Sequence, residues 1–157
     1  MITGVYGSTI SSYLTLEEKR IHTAVDASKV RYLFKFTNDL TKTVKYSYGR
    51  KISTNDRYIK NDFLHNTSES VLDFTINFKP YGFWKYEVYE VTWLGTVLLE
   101  AGNAPTTETH ILSVNNNNGV VKGKVEEGKL YIQETVGSEQ IKYTKHTTTE
   151  TNYLHTN

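Results

Sequence analysis

Residues 71 to 91, VLDFTINFKPYGFWKYEVYEV, hold two alternating runs around one turn. Leu72, Phe74, Ile76 and Phe78 alternate with Val71, Asp73, Thr75 and Asn77. Trp84, Tyr86 and Val88 alternate with Phe83, Lys85, Glu87 and Tyr89, and Glu90 ends the first of these faces. A repeat of two is the period of a pleated strand, whose successive side chains point to opposite sides. Lys79-Pro80-Tyr81-Gly82 supplies the turn: proline fixes φ early and glycine tolerates positive φ. A chain with this pattern buries one face of each run against a second layer.

The same signal recurs along the chain. SYLTLEEK (12–19), VRYLFKFT (30–37), TVKYSYG (43–49), RYIKNDFLHN (57–66), SVLDFTINF (70–78), residues 83–92 and KLYIQETV (129–136) read as about seven strands, broken at roughly ten-residue intervals. Tyr32, Phe34 and Phe36 share one face of the second. Residues 14–30 fit either a short helix from Glu17 to Ala27 or a continued strand. Twelve Tyr and abundant Thr favour strands, and good helix-forming stretches are scarce. The pattern predicts an all-β sandwich. Its expected core contains Tyr32, Phe34, Phe36, Leu72, Phe74, Ile76, Trp84, Tyr86 and Val88.

The expected organisation is an N-terminal extension over 1–11, a sandwich over 12–139 and an extended C-terminal arm over 140–157. Residues 93–128 read as an insertion. Asn115 to Asn118 and Gly119 stand between HILSV and VVKGKVEEG there, an Asn-Gly signal for a projecting β-hairpin. The arm is polar and Thr-rich and cannot build a core. Phe83, Tyr89, Asn116, Asn117, Tyr143, Tyr153 and Leu154 are the candidate interface residues.

Charge and motif exclude several chemistries. Eighteen Lys and Arg against 17 Asp and Glu give a net charge of +1, without the basic excess of a nucleic-acid binder. No run approaches the ~18 apolar residues of a membrane-spanning helix. The first residues lack the pattern of a secretion signal, so a soluble compartment of the host is expected. The chain has no cysteine, which removes disulfides and thiolate metal sites. His22, His65, His110, His146 and His155 show no zinc-ligand spacing. There is no phosphate loop and no Gly-x-Ser-x-Gly elbow. Asp56, Asp62 and Asp73 lack calcium-loop spacing. Glu126 and Glu127 precede Gly128 as in an exposed turn. No catalytic residue, cofactor or metal is expected. Exposed Tyr and Trp could stack on sugars, but Tyr also lines core boundaries and subunit interfaces, and nothing in the sequence locates a groove.

Gly82-Phe-Trp84-Lys-Tyr86-Glu-Val88-Tyr-Glu90 and Val125-Glu-Glu127-Gly128-Lys-Leu130-Tyr-Ile132 resemble paired stretches of virion structural proteins from tailed bacteriophages. Leu14 to Glu18, Tyr32 to Asp39, Ile52 to Asn55 with Arg57-Tyr58, and Thr151 to Leu154 extend the likeness over most of the chain from about residue 12. It is a resemblance to short immunoglobulin-like proteins of crAss-like and related phages. Two departures stand out: the 93–128 insertion, and LLEAGNA at 98–104, which mimics the Glu-x-Gly element. Either 98–104 or 126–132 could supply the last strand. The resemblance implies an auxiliary capsid or decoration protein in the virion, made in the bacterial host cytoplasm. Its implied partners are the major capsid protein, other virion proteins or copies of itself. A neck or tail component, or a displayed module binding host carbohydrate, is the alternative. In immunoglobulin-like folds a Tyr near the start of this strand often makes a corner hydrogen bond; by position Trp84 takes that site here, with Tyr86 at the buried position two places on.

Overall fold

The computed structural model describes residues 1–55, 57–113 and 117–134. Two β-sheets pack face to face. One has five strands in the order β1-β9-β8-β3-β4; the other has the order β2-β6-β5, with β7 paired to β6. The strands are β1 (Ile2–Val5), β2 (Ile10–Leu14), β3 (Val30–Asn38), β4 (Val44–Tyr48), β5 (Arg50–Thr54), β6 (Ile59–His65), β7 (Thr75–Ile76), β8 (Gly82–Thr92) and β9 (Val120–Gln133). The fold is thus an all-β sandwich.

The main core lies between the sheets. Tyr32, Phe34 and Phe36 of β3 and Trp84, Tyr86 and Val88 of β8 meet Ile10, Ile59 and Phe63 from the opposite sheet, with Ile76 and Phe78. The rings interlock edge to face: Phe34 on Phe63 at 4.8 Å, Phe36 on Phe78 at 4.8 Å, and Phe78 on Trp84 at 5.6 Å between centroids. Such T-shaped pairs place positive ring edges on negative faces.

A second core covers the outer face of the five-stranded sheet. Leu33, Tyr48, Val91, Trp93 and Ala104 are buried there, and Val71, Leu72, Phe74, Val97 and Leu99 pack against them. Apolar residues on the nominally polar side of β3 and β8 therefore have a function: that end of the sheet is covered on both faces.

Several expectations are corrected. Residues 1–11 are not an appendage: β1 pairs in parallel with β9, from Ile2 opposite Leu130 to Val5 opposite Gln133, and Ile2 and Ile10 enter the core. Residues 14–30 form neither a helix nor a long strand. β2 ends at Leu14, and the chain then makes two single 3₁₀ turns, Glu17–Lys19 and Ala27–Lys29. Residues 50–54, outside every predicted strand, form β5.

The alternating run 70–78 is a strand only at Thr75–Ile76. Turns occupy 71–74, and Phe74 has φ 63°. Leu72 and Phe74 therefore leave the predicted sandwich core and pack in the second cluster, while Ile76 and Phe78 stay in the first. Period two is satisfied because the segment serves one core and then the other, not because it is one extended strand.

The 93–128 insertion is not a projecting hairpin. Val120 to Gly128 form the first part of β9, which pairs with β8 from Val120 opposite Thr92 to Ile132 opposite Gly82. The last strand thus contains 126–132, and 98–104 is a turn segment on the outer face. Gly128 explains the Glu-x-Gly element. A Cβ there would lie 2.5 Å from the Tyr86 hydroxyl, so only glycine lets the ring cross β9.

Candidate interaction surface

The described interface candidates, Phe83, Tyr89 and Asn117, do not form one patch. Phe83 is 45 % exposed on the outer face of β8, tilted against Tyr131 of β9 at 4.6 Å between ring centroids. Tyr89, on the same face, packs at the border of the second core instead of standing free. Asn117 acts within the chain: its side-chain oxygen accepts from the Gly95 amide at 2.6 Å, its amide group donates to the Thr96 carbonyl at 2.7 Å, and its φ is 51°. Asparagine tolerates that left-handed conformation better than most residues. Its role is to close the loop after β8. Asn116, Tyr143, Tyr153 and Leu154, and the arm as a whole, lie outside the described residues.

The segment over the outer face is pinned by charge. Glu108 accepts from Lys35 Nζ at 2.6 Å and from the Tyr46 hydroxyl at 2.5 Å. Burial raises the Glu108 carboxyl, but the Lys35 and Tyr46 hydrogen bonds outweigh it and hold it below the usual carboxylate range. The Glu108 hydrogen bond raises Lys35, while burial first and Glu108 second raise Tyr46. Farther along the face, Lys85, Glu87, Lys124 and Glu127 form a chain of ion pairs at 2.7–3.5 Å. Exposed pairs of this kind contribute little each and keep the face polar.

Between the sheets, Glu90 is fully buried, yet its carboxylate is used. It accepts from the backbone amides of Ile21 at 2.6 Å and His22 at 2.9 Å. Arg20 pairs with Glu17 at 3.0 Å and also donates to the His22 and Val25 carbonyls. These contacts strap residues 17–25 across one end of the sandwich. Tyr32 lies beneath; burial pushes its hydroxyl well above the usual phenol value, and Glu17 and Glu90 add to the shift. The sequence placed Glu90 at the end of the core face but carried no signal for the strap, because its partners are backbone amides nearly seventy positions away.

Two exposed features were not predicted. Tyr13 of β2 and Tyr58 stand edge to face at 5.4 Å on the outside of the smaller sheet, with Lys60 Nζ 5.7 Å from the Tyr13 centroid. A cleft of about 500 Å³ opens beside the β8–β9 junction, lined by Thr92, Leu94, Leu112, Asn117, Val120 and Lys122 among others.

Among the described residues no group of three or more His, Asp or Glu side chains could hold a metal ion. His110 Nδ1 lies 3.1 Å from the Thr106 amide, and His65 packs on Tyr6 at 4.7 Å between centroids. No described helix is long and apolar enough to cross a membrane. Comparison with protein-family models, curated proteins and solved structures matched none of them.

Proposed function

We infer that the chain is a non-enzymatic structural component of a tailed-phage virion, of the auxiliary capsid or decoration type, built on an immunoglobulin-like sandwich. The strand order is the observation that carries the reading. With β2, β6 and β5 in one sheet and β9, β8, β3 and β4 in the other, the order matches strands B, E, D and G, F, C, C′ of immunoglobulin variable-type sandwiches. The Trp84 indole supports it: Nε1 donates to the Pro80 carbonyl at 3.1 Å, the place of the corner hydrogen bond early in strand F. This matches the fold expected of the phage proteins that the sequence resembles.

The surface is consistent with a building block. Both faces of the larger sheet are occupied at one end by the protein's own segments, and the remaining face carries paired charges. Contacts with other subunits then fall to strand edges, loops and the arm. The partners that fit are the major capsid protein, other virion proteins and further copies of this chain.

The test is the particle. In purified virions from cells producing this chain, its peptides should appear at a fixed ratio to the major capsid protein. Density for the sandwich should repeat on the shell. Its presence in infected cells but absence from particles would refute the reading. The exposed Tyr13–Tyr58 pair favours the carbohydrate-binding alternative; a blank glycan array at micromolar protein would remove it.

A further inference from the structure

The edges of the two sheets are unequally protected. An unpaired strand edge is a template for another strand, and proteins blunt it with charge, bulges, shortness or cover. β4 is covered: the Tyr48 amide donates to the Val71 carbonyl at 3.0 Å, and Lys45 pairs with Glu69 at 2.6 Å. β5 carries Arg50 and Lys51 and a register shift between Lys51 and Ser53. β1 is only four residues long. Among the described residues β2 shows no charge, bulge or cover. Its sequence, Ile10-Ser-Ser-Tyr-Leu14, holds no charge, proline or glycine, and its register on β6 is unbroken across five residues. Among the described residues its backbone makes one hydrogen bond outside that ladder, from the Leu16 amide to the Leu14 carbonyl at 3.0 Å.

We propose that the free edge of β2 accepts residues 140–146 of a second copy of this chain as an added strand. Gln140-Ile-Lys-Tyr-Thr-Lys-His146 alternates, contains β-branched and aromatic residues, and has no proline or glycine. Residues 135–157 follow the last described residue and at about 3.3 Å each reach well beyond the length of β2. The described chain ends beside the start of β2: the Tyr6 amide donates to the Gln133 carbonyl at 2.8 Å, and Gly4, opposite Ile132, touches Ile10. Donor and acceptor therefore share one end of the molecule. The 6–9 connection joins β1 to β2 at this same end and stands in the way of pairing within one chain, since connections avoid crossing each other. A neighbour's arm meets no such barrier. Backbone pairing supplies affinity in strand addition, and Tyr13 offers an aromatic neighbour on the outer face.

The chain has no cysteine, so single-cysteine variants report pairing directly. Full-length Tyr13→Cys is mixed with full-length Ile141→Cys, Tyr143→Cys or Lys145→Cys under mild oxidation. At least one mixture should give the mixed disulfide dimer about tenfold above either homodimer. Hydrogen exchange at residues 10–14 should slow as protein concentration rises. Tyr143→Pro, which removes a donor from the arm without touching the sandwich, should restore fast exchange by about tenfold. Mixed dimers no more abundant than homodimers, with exchange at 10–14 unaltered by Tyr143→Pro, would overturn the proposal. Protection independent of concentration would overturn it too, by showing pairing within one chain. All these readouts use isolated protein, so their failure is separable from absence of the chain from virions.

Discussion

Trp84 donates its indole Nε1–H to the Pro80 carbonyl oxygen at 3.1 Å, from a side chain with no exposed surface. The contact ties the start of β8 to the turn before it while the ring packs on Phe78. Trp84→Ala should cost roughly 3–5 kcal/mol in urea unfolding, the range for large core truncations. Trp84→Phe keeps an aromatic ring but removes the donor and leaves the Pro80 carbonyl without it. Its excess loss over the change in volume should be about 1 kcal/mol. A loss below about 1 kcal/mol for the alanine variant would place Trp84 outside the stabilising core.

Glu90 holds the strap through two amides. Glu90→Ala leaves both without their acceptor and should destabilise by about 2–3 kcal/mol, as expected for hydrogen bonds to a charged group. Amide exchange at Ile21 and His22 should accelerate more than at β3. Uniform acceleration would mean that the strap opens only with global unfolding.

The Glu108 clamp predicts a pH window. Its folded carboxyl lies below the ordinary value, so the stabilisation is complete above the unfolded pKa, about 4.3, and is lost as pH falls through the lower folded value. The folded Lys35 value is raised, so its share is complete below about 10.4 and is lost as pH rises beyond. Proteolysis of the segment around Glu108 should therefore be slowest between these limits and quicken in acid. In Glu108→Gln the acid limb should flatten, and an unchanged limb would refute the clamp.

Gly128→Ala tests the passage of Tyr86 beneath β9. The added methyl would sit 2.5 Å from the Tyr86 hydroxyl and 2.7 Å from its ring carbon Cζ. Overpacking of this kind costs roughly 1–3 kcal/mol. The double variant Gly128→Ala with Tyr86→Phe should recover part of it, because the hydroxyl is the nearest obstacle. No recovery would locate the strain in the ring carbons or the backbone rather than the hydroxyl.

The local pattern made much of the sandwich legible. β3, β4, β6 and β8 follow from alternation and turn residues, and the split of β8 into a core face and an outer face follows from parity alone. What failed depends on long-range partners. Residues 71–74 alternate like a strand, yet the outer sheet face competes for Leu72 and Phe74 and wins them. Asn117 and Gly119 look like hairpin punctuation, but Asn117 holds Gly95 and Thr96, and the Gly119 amide bonds the Asn103 carbonyl at 2.8 Å. Leu33, Val91 and Trp93 were the available clue to a second core, being apolar on a face that alternation marks as outward. The β2 edge was invisible because protection of an edge depends on which strands lie beside it.

The pairing of β1 with β9 also has a consequence in time. Ile2 to Val5 are synthesised long before their partners, Leu130 to Gln133, which lie about as far along the chain as any described residues. Contacts of such large sequence separation close late and slow folding. The larger sheet therefore cannot close on a nascent chain, and its N-terminal strand stays unpaired until synthesis has passed residue 133. Chains still in synthesis should therefore leave that segment uncovered, so that chaperone demand is expected to scale with the rate of synthesis rather than with the amount of finished protein.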